Sequence, residues 1–157
     1  MDWQTVKDIS PVVSAGLAVL TLGVAVYATN TWLRGIRNER IDKALEAVHD
    51  LRDRINRVVA IRASPNRDSV WRAYSEAWDS RSRFNQAYEV ARRYYQKRLL
   101  ETPPSEFTAR LDILKEYIDD GCSDKVADEF KATVNGIVER TAKALKETSC
   151  WYRVRNG

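Results

Sequence analysis

The chain has 157 residues, with 26 Lys and Arg against 22 Asp and Glu, and 44% of its residues are apolar. That length leaves room for one modest domain beside a membrane segment. Six glycines and four prolines are too few for a disordered or collagen-like chain and suit a helical one. The arrangement of charge says more than the net +4: residues 30–100 carry sixteen basic and nine acidic groups, residues 101–129 three and nine, and residues 130–157 six and two.

Residues 9–33 contain no charged side chain and run from Ile9 and Pro11 through Val12, Val13, Leu17, Leu20, Leu22, Val24 and Val26 to Trp32 and Leu33. A hydrocarbon core about 30 Å thick needs roughly 20 such residues in a helix, so the segment is expected to span a membrane once. Ser10 and Pro11 are expected to start the helix, because proline loses no hydrogen bond at the first helical position. Trp3 on one side, and Tyr27 with Trp32 on the other, belong at headgroup level. Only Lys7 precedes the span, whereas Arg34, Arg37, Arg40, Lys43 and Arg52 follow it within twenty residues. The positive flank stays inside, so residues 1–8 are expected outside and residues 34–157 in the cytoplasm, at the plasma membrane or at the inner membrane of a bacterium. Asp2 and Asp8 ahead of the apolar run, its length, and the arginines behind it argue against a cleaved signal peptide.

One face of the span carries small side chains at spacings of four and three: Ser14, Ala18, Thr21, Ala25 and Ala28. Helices in lipid associate where small residues let backbones approach, so this row is a candidate self-association seam.

The cytoplasmic part is expected to be all-α, an antiparallel bundle of about four helices. From Leu33 to Arg62, Ile41, Ala44, Val48, Leu51, Ile55 and Val58 form a core-facing stripe, widened by Leu45 and Val59. Gly35 is the one weak point where this helix could bend. Ser64-Pro65-Asn66 ends it, and Asp68 or Ser69 is expected to cap a second helix reaching about Leu100. Its stripe is aromatic: Val70 or Trp71, Tyr74, Ala77, Trp78, Phe84, Tyr88, Ala91, Tyr95 and Leu99, interrupted at Arg81. Thr102-Pro103-Pro104 breaks the chain, and Ser105 is expected to cap a short helix with Phe107, Leu111, Leu114 and Ile118 inward, stopping near Gly121. Asp119 and Asp120 in its last turn oppose the helix dipole. A final helix, from about Ser123 to Thr148, is expected to bury Val126, Phe130, Val134, Ile137, Val138 and Leu145.

Catalytic chemistry has little to draw on. His49 is the sole histidine, the nearer cysteine, Cys122, lies seventy-three residues away, and Cys150 is the other. Without a nucleophile, base and orienting group in view, no enzyme is expected. Cys122 and Cys150 are expected reduced in a cytoplasmic domain. The acidic run Asp119 to Glu129 lacks the ligand spacing and glycine of a calcium loop, no glycine-rich phosphate loop is present, and no cofactor or small-molecule substrate is expected.

The best candidate binding surface is basic and aromatic. A first cytoplasmic helix climbing about 45 Å, at 1.5 Å per residue, must be followed by one that returns. That would bring Arg92, Arg93, Lys97 and Arg98, with Tyr94 and Tyr95, back toward the bilayer. A second return would bring Trp151, Arg153 and Arg155 there, beside Arg34, Arg37 and Arg40. Contact with anionic lipid is the expected use of these clusters, at about 1 kcal/mol per well-placed basic residue. Nucleic acid would exploit the same arginines and rings, but no recognition motif accompanies them. The leading expectation is therefore a membrane-anchored binding or assembly module, whose partner is another protein or a second copy. Two alternatives are an effector that oligomerises through its span and permeabilises the bilayer, and a tethered nucleic-acid binder.

Overall fold

The computed structural model describes the backbone of residues 3–95, 99 and 103–155, and the side chains of residues 15–95, 99 and 103–148. Those residues form four helices and no strand: α1 (Trp3–Ile61), α2 (Arg67–Tyr94), α3 (Pro103–Asp119) and α4 (Asp124–Arg155). The chain divides into two compact units, Met1–Arg37 and Asn38–Gly157, with α1 contributing to both.

In the first unit α1 is already helical at Trp3, which corrects the expected start at Ser10 and Pro11. Proline at residue 11 withholds one N–H from the ladder without preventing the residues before it from taking helical angles. Every side chain from residue 15 to residue 32 is exposed. The hydroxyls of Thr21, Thr29 and Thr31 donate to the carbonyls of Leu17, Ala25 and Tyr27 at 2.8, 2.8 and 2.9 Å. These hydroxyls are thus satisfied within the helix itself.

The second unit is a bundle whose register follows from its cross-helix contacts. Between α1 and α2, Arg57 and Arg54 meet Glu76 while Asp50 meets Ser80 and Arg83, so the two run antiparallel. Arg67 donates to the Ile118 carbonyl, Tyr74 to that of Leu111 and Arg81 to the Thr108 hydroxyl, which sets α3 antiparallel to α2. Tyr117 against Phe130, and Glu106 with Arg140, do the same for α3 and α4. Arg62 with Asp124 closes the ring between α1 and α4.

The interior is continuous across the four helices, from Ile41, Leu51 and Ile55 on α1 through Phe84 and Tyr88 on α2 and Phe107 and Leu114 on α3 to Val134 and Leu145 on α4. Each large side chain so buried contributes about 1.5–3 kcal/mol. Phe84 meets Phe107 edge-on, with centroids 5.3 Å apart at 79°, and Tyr88 lies 5.4 Å from Phe84. Burial pushes the Tyr88 phenol up to about 12.

The helix ends differ from expectation at several points. Asn66, not Asp68 or Ser69, caps α2: its side-chain oxygen accepts from the Ser69 N–H at 3.2 Å, and the Ser69 hydroxyl returns a bond to the Asn66 carbonyl at 2.7 Å. α2 ends at Tyr94 rather than about Leu100; Tyr95 leaves the helical angles and its N–H bonds back to the Arg92 carbonyl, while Leu99 is buried. α3 begins at Pro103, so Ser105 lies inside its first turn rather than capping it, because two successive prolines need no N–H partners there. Ser123 caps α4, accepting from the Val126 N–H at 3.4 Å. α4 continues past the expected Thr148 to Arg155, and near its start Ala127 takes the buried position instead of Val126.

Candidate functional site

Ala18, Thr21, Ala25 and Ala28 lie exposed along one face of α1, with the Thr21 hydroxyl turned to its own helix; the side chain of Ser14 lies outside the described residues. Of the candidate lipid contacts, Arg34 is exposed and Arg37 half-buried in the first unit. In the second unit the antiparallel register brings Arg40, Arg92 and Arg93 to the end of the bundle at which Asn38 enters. Arg93 is exposed, while Arg92 is half-buried and paired with Glu89 at 3.3 Å. Lys97 and Arg98, and the side chains of Trp151, Arg153 and Arg155, lie outside the described residues.

At the opposite end Arg67, at the start of α2, donates to the Ile118 carbonyl in the last turn of α3. This accounts for Asp119 and Asp120: the cation that their helix lacks arrives from its neighbour. Gly121 then takes a positive φ of 79°, which favours glycine at the helix exit. Arg62 lies against both the Asp124 carboxylate and the half-buried Cys122 thiol.

A charged network links α1 to α2. Asp50 accepts from the Ser80 hydroxyl at 2.7 Å, from Arg54 Nε at 3.0 Å and from Arg83 at 3.3 Å. Arg54 and Arg57 continue to Glu76 at 3.3 and 3.4 Å. Ser80 is fully buried, and Asp50 supplies its partner. Partial burial pushes the Asp50 carboxyl up, but the Ser80 hydroxyl and the Arg54 and Arg83 guanidiniums outweigh this and hold it below its usual value. The break in the aromatic stripe was the available signal. Its cause is Ser80 in the core, while Arg81 stands beside it over the Trp78 ring at 5.3 Å.

Among the described residues two interhelical grooves stand out on the bundle. One, of about 750 Å³, lies between α2 and α3 and is bridged by Arg81 to Thr108. The other, of about 710 Å³, lies between α1 and α4: His49, Arg52, Asp53 and Asn56 form one rim, Asn135, Glu139, Lys143, Lys146 and Glu147 the other, and Val138 and Ala142 the floor. His49 is half-buried there among cations, carboxylates and amides. Among the described residues no group of three or more His, Cys, Asp or Glu is placed to hold a metal ion. No protein family, no curated protein and no solved structure matches the chain.

Proposed function

We propose that the chain is a single-pass membrane protein anchored by residues 9–33, with its N-terminus outside and its helical domain in the cytoplasm, and that the bundle is a binding or assembly module rather than a catalyst. One observation carries the reading: Leu17, Val19, Leu20, Leu22, Val24 and Val26 are 54–70% exposed, in a chain whose other unit buries its apolar stripes almost completely. α1 is long and apolar enough to cross a bilayer. Left in water, such a surface forfeits on the order of 25 cal/mol for each Å² uncovered, and lipid removes that cost. The flanking charges support the orientation, with Arg34, Arg37, Arg40 and Lys43 after the segment and only Lys7 before it. A bundle lined by shallow grooves of mixed charge suits recognition of another polypeptide better than enclosure of a substrate.

The test is topology in the full chain. Reporters active only in the cytoplasm or only outside are fused after Gly157 and before Met1, and membranes are washed with alkaline carbonate. Cytoplasmic signal at the C-terminus, external signal at the N-terminus and retention after washing are expected. Release by carbonate, or the reverse signals, would overturn the proposal. The row Ala18, Thr21, Ala25 and Ala28 favours a second reading, a permeabilising oligomer. That reading requires overexpression to depolarise cells, and the double change Ala18→Leu and Ala25→Leu to abolish the effect.

A further inference from the structure

We infer that the bundle stands end-on against anionic lipid, through the end formed by the last turns of α2 and α4. The inference rests on the anchoring reading and adds a second contact with the bilayer, outside the apolar segment.

Cross-helix contacts fix which residues reach that end. Ser80 lies opposite Asp50, and Glu76 opposite Arg54 and Arg57, so Tyr94, the last residue of α2, falls about level with Asn38. α4 runs antiparallel to α1 from Asp124, beside Arg62. Its 32 residues exceed the 24 from Asn38 to Ile61, so its last turns reach the same level.

The two ends of the bundle differ in charge. Carboxylates stand near the Asn38 end, but Glu39 is held by Lys43 at 2.7 Å, Glu89 by Arg92 at 3.3 Å and Glu147 by Lys143 at 3.8 Å. Asp42 and Glu46 stand one and two turns farther in on α1. At the end itself, residues 90–95 and 148–155 carry Arg92, Arg93, Arg153 and Arg155 and no carboxylate. The opposite corner, where α3 gives way to α4, carries six carboxylates and one lysine over residues 116–129. The length of α2 sets the two ends about 40 Å apart. An anionic surface is therefore attracted at one end and repelled at the other.

Helix dipoles alone do not explain the basic end. A cation in the last turn answers the dipole of α2, and half-buried Arg92 fills that role. Arg93 is exposed beyond it, beside Tyr94, which is 47% exposed, and Trp151 and Tyr152 precede Arg153 on α4. Tyr and Trp among arginines is the composition that settles in a headgroup layer. The tether selects lipid as the partner. Five residues of chain separate Leu33, the end of the apolar segment, from Asn38. Fully extended they cover about 18 Å, so an anchored chain holds this end of the bundle within that distance of the segment's end.

The test reads arginine modification by phenylglyoxal in the full chain, reconstituted in lipid nanodiscs and mapped by mass spectrometry. One set of discs is phosphatidylcholine, the other equal parts phosphatidylcholine and phosphatidylserine. Arg93 is expected to react at least threefold more slowly in the anionic discs, and to recover at about 1 M salt, where the screening length falls to about 3 Å. Arg72, exposed toward the opposite end of α2, is expected to react equally in both. Arg153→Glu with Arg155→Glu should cut the protection of Arg93 below twofold while leaving thermal unfolding of the bundle unchanged. Equal reaction of Arg93 in the two discs, equal protection of Arg72, full protection in the double variant, or stronger protection of Arg93 by single-stranded DNA added to neutral discs would overturn the inference. Entry into both discs without protection defeats this inference alone, whereas failure to enter either disc defeats the anchoring reading and this one with it.

Discussion

The anchoring proposal makes a quantitative demand on residues 20 and 24. Leu17, Val19, Leu20, Leu22, Val24 and Val26 are the large aliphatic side chains exposed on the described part of the apolar segment. At about 0.3–0.6 kcal/mol each they favour insertion by roughly 2–3.5 kcal/mol, with Val12 and Val13 adding about 1 more. An arginine at the centre of a span costs about 2.5–3.5 kcal/mol. Leu20→Arg alone should therefore nearly cancel the driving force, and Leu20→Arg with Val24→Arg should reverse it by about 2–4 kcal/mol. Leu20→Ala with Val24→Ala serves as the control, removing apolar area without placing charge in lipid. The core from Ile41 to Leu145 lies in the other unit, so the bundle should fold in every variant. The assay is the fraction of full-length protein that sediments after alkaline carbonate washing. Near-complete retention is expected for the parent and the Ala pair, partial retention for the single arginine, and loss of most of the protein for the arginine pair. Full retention of the arginine pair would refute the reasoning, because the apolar segment would then not be what holds the chain to the membrane.

Within the bundle, Phe84→Ala should lower stability by about 3–5 kcal/mol in urea unfolding, since Phe84 is fully buried against Phe107 and Tyr88; Trp71→Ala, at a position 36% exposed, should cost less than half as much. Asn66→Ala should cost about 1 kcal/mol by removing the cap of α2, whereas Asp68→Ala should stay within about 0.5 kcal/mol, and equal losses would contradict the assigned cap. Asp50 is held below its ordinary value when folded, so its contribution is complete above the unfolded pKa near 4 and is lost as pH falls through the lower, folded value. Thermal unfolding should accordingly show an acid-side decline below about pH 4 that is shallower in Asp50→Asn, and superimposable profiles would dismiss the carboxylate's role.

Much of the bundle is legible in the sequence because a helix repeats its burial every three to four residues. The stripe from Ile41 to Val58 on α1, and that from Phe107 to Ile118 on α3, are buried at every position the spacing picks out. Periodicity falls short where two neighbours compete for one direction: it leaves Val70 or Trp71 open and it picks Val126 over Ala127. Val70 is buried while Trp71 faces solvent, and Ala127 is buried in place of Val126, because a single-residue step rotates the chain by about 100° and close helix packing selects the smaller side chain there. Caps fail for a different reason. Asn66, Asp68 and Ser69 are all competent side chains, and only the path of the chain out of Ser64-Pro65 determines which one stands at the boundary.

The properties that bear on function depend on which helix neighbours which, and no local rule carries that information. Asp119 and Asp120 oppose the dipole of their own helix, and that conflict is resolved only because the topology delivers Arg67 to the Ile118 carbonyl from fifty-one residues away. Ser80 reads as a lapse in an apolar stripe until Asp50, thirty residues earlier, arrives as its partner. The α1–α4 groove joins the first and last segments of the bundle, the pair most widely separated in sequence. Its rims look like ordinary solvated faces when each helix is taken alone, with Arg52 beside Asp53 and Lys143 one turn from Glu147. Only the packed bundle sets those faces opposite one another across Val138 and Ala142, so the groove exists through chain closure and no single helix announces it.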